Sequence, residues 1–206
     1  MDNTGDWERK RGSEDTSGEW YTDRLQQIAG RGWKRFVPDP YRLHIRRLNL
    51  GRMLDVGCGI GRCLAFNDGI GVGVDHNPTS VEVCRKRGFV AFTPAEFDSI
   101  DHGPFDSLLL SHVLEHTAPE QSTEIFHRYL PLVRPGGTVV VITPQPAGQR
   151  SDSTHVRYLS REALHTELTS VGAVDIRTRS FPFPPVVGQI FRYNENIAVG
   201  QIPTAA

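Results

Sequence analysis

The sequence predicts an α/β fold in which a seven-stranded, mostly parallel sheet carries helices on both faces. Three observations lead to this prediction. Short apolar segments alternate with segments of helical periodicity along the chain. The segment Thr138–Thr143 is a continuous Val and Ile run, typical of a strand covered on both faces. A glycine-rich turn, Gly57–Gly61, directly follows the apolar segment Arg52–Val56. The 206 residues suit one such domain.

The N-terminal residues 1–17 are polar and charged and contain glycine, so they cannot bury enough apolar surface to fold. We predict a mobile tail there and a single domain over 18–206. No apolar run approaches the length of a membrane span, and no secretory signal is visible. The three cysteines, Cys58, Cys63 and Cys84, lack C-x-x-C spacing. They predict reduced thiols in a cytoplasmic protein.

Within 18–50, two helices are expected before the first strand. Apolar spacing predicts one over Gly18–Ala29, and the second begins with Asp39 as its N-cap. These helices either close over the substrate as a lid or only pack on the sheet. Tyr21 and Trp33 are the weak substrate-contact candidates under the lid interpretation.

The remaining elements follow in chain order. Asn77 and Pro78 mark a helix N-terminus, and Pro131 should end the next long helix early. Ser160 caps a later helix that Gly172 terminates. The predicted strands are Arg52–Val56, Gly71–Asp75, Phe89–Phe92, Ser107–Leu110, Thr138–Thr143, Val174–Ser180 and Asn194–Gly200.

Asp55 and the glycines that follow it predict a cofactor site. Gly57, Gly59 and Gly61 allow backbone N–H groups to approach a ligand that any Cβ would block. Asp75 ends the second predicted strand, where a carboxylate can accept ribose hydroxyls. The glycine spacing differs from the G-x-G-x-x-G of dinucleotide folds. An acid facing the loop would repel a pyrophosphate but attract a cationic amino-acid moiety.

Four segments resemble, in order, the motifs of class I S-adenosylmethionine-dependent methyltransferases. These are Asp55-Val56-Gly57-Cys58-Gly59-Ile60-Gly61, Gly73-Val74-Asp75, the segment Phe105–His116 and the segment Leu132–Val141. The resemblance covers roughly residues 50–145 and implies a Rossmann-like fold, S-adenosyl-L-methionine as cofactor and methyl transfer as the activity. The cofactor contacts that it implies are Asp55, Gly57, Gly59, Gly61, Asp75, His76, Ala95, Glu96 and Ser111.

Two interpretations remain for the residues at the adenine end of this site. Many relatives place an acid just after the third strand, but this chain has Pro94 there. Glu96 either takes that role, with Ala95 beside the ring, or caps a short following helix.

Histidines are the candidates for acid–base work. His155 lies in a polar loop after the fifth predicted strand, and loops of that kind commonly face the acceptor in relatives. His112 emerges at the ligand-binding edge of the sheet. We predict His155 and His112 as catalytic candidates, with His116 and Tyr158 as weaker substrate contacts. A structural role for each remains the alternative. No metal site is predicted, because nothing in the sequence fixes a ligand set.

The predicted function is methylation of a small molecule, most readily on a hydroxyl oxygen. N-methylation, a peptide or protein acceptor, and a cofactor-binding partner without activity are the alternatives. The formal net charge of −1 gives no field that would recruit nucleic acid. The segment after the fourth strand also lacks the [DN]-P-P-[FYW] tetrapeptide that the resemblance associates with nucleic-acid amino methylation. We therefore expect no nucleic-acid or membrane partner.

Overall fold

A computed structural model gives the structure of the chain, and it describes Thr22 and residues 40–204. The predicted helix Gly18–Ala29 lies outside the described residues except for Thr22. The predicted tail, the candidates Tyr21 and Trp33, and the N-cap Asp39 also lie outside them.

Seven strands form one sheet within the described residues. They are β1 Met53–Val56, β2 Gly71–Val74, β3 Ala91–Phe92, β4 Phe105–Ser111, β5 Val133–Pro144, β6 Val174–Phe181 and β7 Glu195–Gln201. The spatial order is β3-β2-β1-β4-β5-β7-β6. Strands β1 to β5 run parallel, whereas β7 is antiparallel to both of its neighbours. The predicted mostly parallel α/β sheet is confirmed.

The helices connect these strands and cover the sheet. They are α1 Pro40–Arg47, α2 Arg62–Phe66, α3 Pro78–Lys86, α4 Pro94–Asp98, α5 Pro119–Tyr129, α6 Pro146–Gln149 and α7 Arg161–Ser170. Short 3₁₀ turns occupy Leu114–His116, Leu130–Leu132 and Pro185–Gln189. Among the described helices, none combines the length and the apolar character that crossing a membrane requires.

Two of the N-cap residues predicted from the sequence begin helices in the structure. The Asn77 side chain accepts hydrogen bonds from the N–H groups of Thr79 and Ser80, which begins α3. The Ser160 hydroxyl accepts from the Ala163 N–H and begins α7 in the same way. These polar contacts satisfy N–H groups that have no partner inside their own helix.

The core lies on both faces of the sheet, as the Val and Ile run predicts. Val139 and Val141 of β5 belong to one apolar cluster, and Val140 and Ile142 belong to the other. All four side chains have no exposed surface. Burial of each stabilises the fold by about 1.5–3 kcal/mol relative to exposure.

Every strand differs from its predicted range by at least one residue, and three of the strands differ most. β5 begins at Val133 rather than Thr138, because the chain pairs with Phe105 across a bulge before the regular register starts. β3 is only two residues long, since only Ala91 and Phe92 pair with β2. β4 extends through Ser111, whose partner in β5 is Ile142.

The strand order fixes where a ligand can bind. The chain moves outward from β1 through β2 to β3, and then returns to the other side of β1 with β4. In open α/β sheets a crevice forms at such a reversal, outside the carboxyl ends of the strands. Val56 pairs with Leu110, so the loops after β1 and β4 leave the sheet side by side.

Candidate active site

The loop after β1 has the backbone conformation that its glycines predict. Gly57, Gly59 and Gly61 all have positive φ angles, of 77°, 51° and 79°. L-residues with a Cβ rarely adopt this region. A Cβ on Gly57 would also collide with the Val113 side chain, which lies just after β4. Glycine at position 57 therefore lets the loops after β1 and β4 approach each other.

Asp75 ties the glycine loop to the end of β2. Its Oδ2 accepts the Gly59 N–H at 2.7 Å, and its Oδ1 accepts the Asn77 N–H at 2.9 Å. The side chain is 6% exposed. A carboxylate has about four acceptor positions, so two remain after these bonds. Asp75 thus orders the loop and retains acceptor capacity for ligand hydroxyls.

Asp55 lies within β1 and is almost fully buried. Its Oδ2 has no hydrogen-bond partner within the described residues. Burial, reinforced by the charge of Asp75, raises the pKa of Asp55 to about 7. A buried carboxylate oxygen without a partner at the carboxyl edge of the sheet suits a cationic ligand group. This observation fits the ammonium group of S-adenosylmethionine.

A cavity of about 290 Å³ opens beside these groups. Gly57 and Asp75 form part of its wall, together with His76, Pro94 and the side of α5 that includes Ile125. A second cavity, of about 570 Å³, lies between the segments that precede β4 and β5. Because it lies at the amino ends of the strands, it is away from the edge that binds ligands in such folds.

The two candidates for the adenine end are placed by a short helix. Glu96 accepts the Thr93 N–H at 2.7 Å, and the Thr93 hydroxyl accepts the Glu96 N–H, which forms a capping box at the start of α4. Glu96 also pairs with Arg85 at 2.9 Å. These bonds lower the pKa of Glu96 to about 2, with the Thr93 backbone bond contributing most. The capping interpretation of Glu96 is thus observed, and Ala95 is exposed beside it.

Ser111 ends β4 and meets a residue of α1. Its hydroxyl lies 2.6 Å from the hydroxyl of Tyr41, which is buried. The Arg62 guanidinium lies over the Tyr41 ring, 4.7 Å from its centroid. Tyr41 therefore joins α1, α2 and the end of β4 at the predicted cofactor edge. In the sequence, Tyr41 has the spacing of an apolar position in the second predicted helix, which gives no sign of this contact.

His112 is held between two carboxylates. Its Nδ1 lies 3.0 Å from Glu115 Oε1, and its Nε2 lies 2.8 Å from Glu195 Oε1. Burial lowers the pKa of His112, but the hydrogen bonds and charges of both glutamates outweigh it and raise the value to about 10. The ring is therefore protonated at neutral pH, with both N–H groups donated.

The two hydrogen bonds of His112 argue against a role as general base. A doubly hydrogen-bonded imidazolium has no lone pair with which to accept a proton. We therefore do not assign it the role of general base. The backbone of His112 has a φ of 58°, an uncommon conformation for a residue with a Cβ. The hydrogen bonds to Glu115 and Glu195 hold the ring between the two carboxylates.

His116 and His155 form a pair above the same edge. Their ring centroids are 4.7 Å apart in an edge-to-face arrangement. The Glu115 carbonyl accepts the Val156 N–H at 2.8 Å, which brings the loop after α6 against the 3₁₀ turn after β4. Burial lowers the pKa of His116, partly opposed by the charge of Glu115. The structure thus brings together two predicted residues that are far apart in sequence.

The other predicted contacts lie around this centre. The imidazole of His76 is half exposed, with its Nδ1 3.7 Å from Asp75 Oδ1. Tyr158 is 46% exposed, and its hydroxyl accepts from Asn196 Nδ2 at 3.4 Å. Tyr158 follows His155 in the same loop, so its position is compatible with an acceptor contact.

The residues that sequence reasoning missed are the buried glutamates. Glu115 is fully buried and Glu195 is 8% exposed, although glutamate is seldom buried without a partner. Glu115 lies in the Val-Leu-Glu-His segment, so its sequence did carry a signal. Glu195 carried none, because its contact with His112 joins positions 83 residues apart.

Comparison with known proteins agrees with this geometry. A family model described as a methyltransferase domain matches residues 24–177. The chain belongs to this methyltransferase family. The match, the glycine loop and the seven-stranded sheet together confirm the prediction of a class I methyltransferase whose cofactor is S-adenosyl-L-methionine.

Individual relatives share only part of their sequence with this chain. The chain is 30% identical over 122 residues to the tRNA (carboxymethyluridine(34)-5-O)-methyltransferase ALKBH8 of Macaca fascicularis. That match covers 56% of this chain, and the chain spans only 18% of the length of that relative.

Two solved structures are similar in fold. A methyltransferase from Archaeoglobus fulgidus has a TM-score of 0.64 and 19% identity, covering 82% of this chain and 96% of that one. The N-methyltransferase NodS from Bradyrhizobium japonicum WM9, solved with S-adenosyl-L-homocysteine, has a TM-score of 0.63 and 16% identity. It covers 92% of this chain and 100% of its own.

Proposed function

We propose that this methyltransferase modifies a hydroxyl oxygen of a small-molecule acceptor. The observation that carries the proposal is the His116–His155 pair at the carboxyl edge of β4, next to the predicted cofactor loop. When bound, S-adenosylmethionine supplies a methyl group that is already activated for transfer. A neutral hydroxyl must additionally lose its proton, and a positioned histidine is the usual group for that task.

His155 is the residue on which we propose that this deprotonation depends. Its Nδ1 lies 3.1 Å from the Gln149 carbonyl oxygen, which can only accept a hydrogen bond. In the neutral ring, Nδ1 therefore carries the proton and Nε2 has the lone pair. His155 lies on a loop, and its neighbour His116 is anchored to Thr154 of the same loop. The ring is thus oriented, with one nitrogen able to interact with an acceptor.

We propose that Asp55, Asp75 and the glycine loop bind the cofactor. Asp55 would attract its cationic amino group, and Asp75 would accept from its ribose. His76, Ala95, Glu96 and Ser111 remain candidate contacts at the edges of the site. The lid interpretation of residues 18–50 stays a proposal as well. Its support is that buried Thr22 hydrogen-bonds Ser80 at 2.8 Å, close to the end of β2.

An RNA acceptor has one specific observation in its favour. The curated relative acts on the oxygen of a carboxymethyluridine in tRNA, so its acceptor atom is also oxygen. An RNA acceptor would therefore change the substrate class but preserve O-methylation. N-methylation, a peptide acceptor and a partner protein without activity are further outcomes that an acceptor screen distinguishes.

An acceptor screen with methyl-labelled cofactor tests the proposal. Hydroxylated small molecules and sugars form the first set, and amines, peptides and total tRNA form the others. We expect label in an alkali-stable methyl ether of a hydroxylated compound. Label confined to amines, peptides or tRNA would refute the small-molecule O-methylation proposal. Cofactor binding without transfer to any set would favour the inactive partner instead.

The titration of Asp55 makes cofactor binding depend on pH. Only the ionised carboxylate attracts a cationic amino group, so binding must release the proton that the free protein holds below its pKa of about 7. We expect affinity to rise roughly tenfold between about pH 5.5 and 7. Calorimetry in buffers of different ionisation enthalpy would measure the proton released.

The matched variant for this test is Asp55→Asn, which should bind more weakly and release no proton. Affinity of the wild type that is flat over the same range would contradict the assignment of Asp55. The free energy of unfolding of the cofactor-free protein should change with pH in the opposite direction. The pKa of Asp55 in the folded state is raised from 3.8 to about 7, so its stabilising contribution is lost as pH rises from about 4 to 7.

A further inference from the structure

Three side chains above β4 converge in a way that methyl transfer alone does not require. Glu115, His116 and His155 each place one potential ligand atom within 4.8 Å of the other two. Glu115 is fully buried and both histidines are partly buried. They come from a 3₁₀ turn and from a loop more than 30 residues later, joined by the hydrogen bond from Val156 N–H to the Glu115 carbonyl.

The hydrogen bonds of both histidines leave the same ring nitrogen available. His116 Nδ1 lies 3.1 Å from both the carbonyl oxygen and the hydroxyl of Thr154, and that hydroxyl donates to Asp152. His155 Nδ1 lies 3.1 Å from the Gln149 carbonyl oxygen. These oxygens accept from Nδ1, so in the neutral ring of each histidine Nδ1 carries the proton and Nε2 has the lone pair. Histidines that bind metals show this pattern, in which a backbone carbonyl fixes the tautomer and the ring orientation.

Glu115 supplies the third donor. Its Oε1 lies 3.0 Å from His112 Nδ1, whereas its Oε2 is buried and has no hydrogen-bond partner within residues 40–204 or from Thr22. A buried carboxylate oxygen without a partner is costly. A cation bound there would remove that cost.

The charges around the cluster also favour a cation. Glu115 and Glu195 are both buried acidic side chains, and the His112 ring lies between them. The Oε2 atoms of both glutamates are buried and have no hydrogen-bond partner within the described residues. A divalent ion next to Glu115 Oε2 would supply the partner that this oxygen lacks.

We propose that Glu115, His116 and His155 bind one divalent first-row transition metal ion, with Zn²⁺ as the probe. Two imidazoles and one carboxylate suit zinc and its neighbours, whereas Mg²⁺ and Ca²⁺ prefer all-oxygen sets. Donor atoms of a tetrahedral zinc site lie roughly 3.3 Å apart, so small side-chain rotations complete the geometry. Three protein ligands leave a position open, as in catalytic sites.

The open position on the ion would let it bind the acceptor hydroxyl, a role that rests on the proposed function. An acceptor hydroxyl bound there would have its O–H bond polarised, and its proton would leave to solvent water. His155 would then assist deprotonation as a ligand rather than as the base itself. Metal binding needs neither acceptor nor cofactor, so it can be measured separately from methyl transfer.

Calorimetric titration of the chelator-stripped full chain with Zn²⁺ tests the site. We expect one ion per chain in the wild type. His155→Ala and Glu115→Gln should each weaken binding by about 100-fold or more, since loss of even an outer contact costs 10–100-fold. His165→Ala, which removes an exposed histidine from α7, is the matched control and should bind as the wild type does. Mg²⁺ should bind far more weakly than Zn²⁺.

A second probe guards against variants that fail to fold. Co²⁺ should give visible absorption bands in the wild type and in His165→Ala, and lose them in His155→Ala when circular dichroism shows that the variant is folded. Stoichiometry below one ion, or equal affinity in His155→Ala, would overturn the metal site. Turnover that persists with chelator while zinc does not bind would refute the metal site and leave methyl transfer by His155 intact.

Discussion

Replacement of His155 by alanine should lower methyl transfer turnover by about 10²–10⁴-fold, the usual contribution of a positioned proton acceptor. The ring is oriented by the Gln149 carbonyl and faces His116, at the edge where an acceptor hydroxyl would lie. The same loss is expected if His155 works through a bound ion, because removal of the acceptor proton depends on His155 in either case. Cofactor affinity should change less than about twofold, since none of the proposed cofactor contacts involves this loop.

Single-turnover kinetics with saturating cofactor measure this prediction, once the screen has supplied an acceptor. His165→Ala removes a histidine from the exposed face of α7 and should retain full turnover. A loss below about tenfold in His155→Ala would assign the rate to alignment of the reactants. A large loss of cofactor affinity would place His155 at the adenosine instead.

The fold follows from the sequence because its signals are local. Gly57, Gly59 and Gly61 predict a tight turn after the first strand, and all three have the positive φ angles that other residues rarely adopt. Asn77 with Pro78 reports a helix start through one side-chain bond. The buried run in β5 reports a strand with a core on both faces. Each of these predictions depends on residues within one element, and each is confirmed.

The boundaries that were wrong depend on pairing between elements. The segment Val133–Gly137 reads as a turn because it contains Pro135, Gly136 and Gly137. It joins β5 because Val133 pairs with Phe105 of the neighbouring strand. That pairing is set by how β4 and β5 pack, and local residue preferences do not reveal it.

The protonation state of His112 also depends on a contact between elements, which the sequence does not reveal. From the sequence, a histidine at the ligand-binding edge is a reasonable proton acceptor. The structure adds Glu195 from β7, which reaches His112 from the other side of Glu115. The hydrogen bonds and charges of these two carboxylates outweigh burial and raise the pKa of His112 to about 10. Such a contact between distant strands leaves no pattern in one sequence.

Glu96 illustrates an ambiguity that local chemistry resolves only in three dimensions. The segment Thr93-Pro94-Ala95-Glu96 fits a capping box, and it also places an acid near an adenine site. The structure forms the capping box and adds the ion pair with Arg85. Arg85 lies on α3, so the preference depends on how α3 and α4 pack together.

Asp75→Ala should weaken S-adenosylhomocysteine binding by roughly 100-fold or more. We propose that Asp75 accepts two ribose hydroxyls, and a hydrogen bond to a charged group contributes about 1.5–3 kcal/mol. The variant also loses the bonds to the N–H groups of Gly59 and Asn77, so part of the loss could come from a disordered glycine loop. A simple affinity measurement cannot separate these two causes, because both act in the same direction.

A double-mutant cycle with the ligand separates them. Wild type and Asp75→Ala are each titrated with S-adenosylhomocysteine and with its 2′,3′-dideoxy analogue. If Asp75 contacts the ribose, removal of the hydroxyls weakens binding to the wild type but costs little more in the variant, which gives a coupling energy of about 1–3 kcal/mol. Asp68→Ala, which removes an exposed carboxylate paired with Arg46, should behave as the wild type does. Equal effects of the analogue on wild type and Asp75→Ala would mean that Asp75 only orders the loop, and the ribose would need a different acceptor.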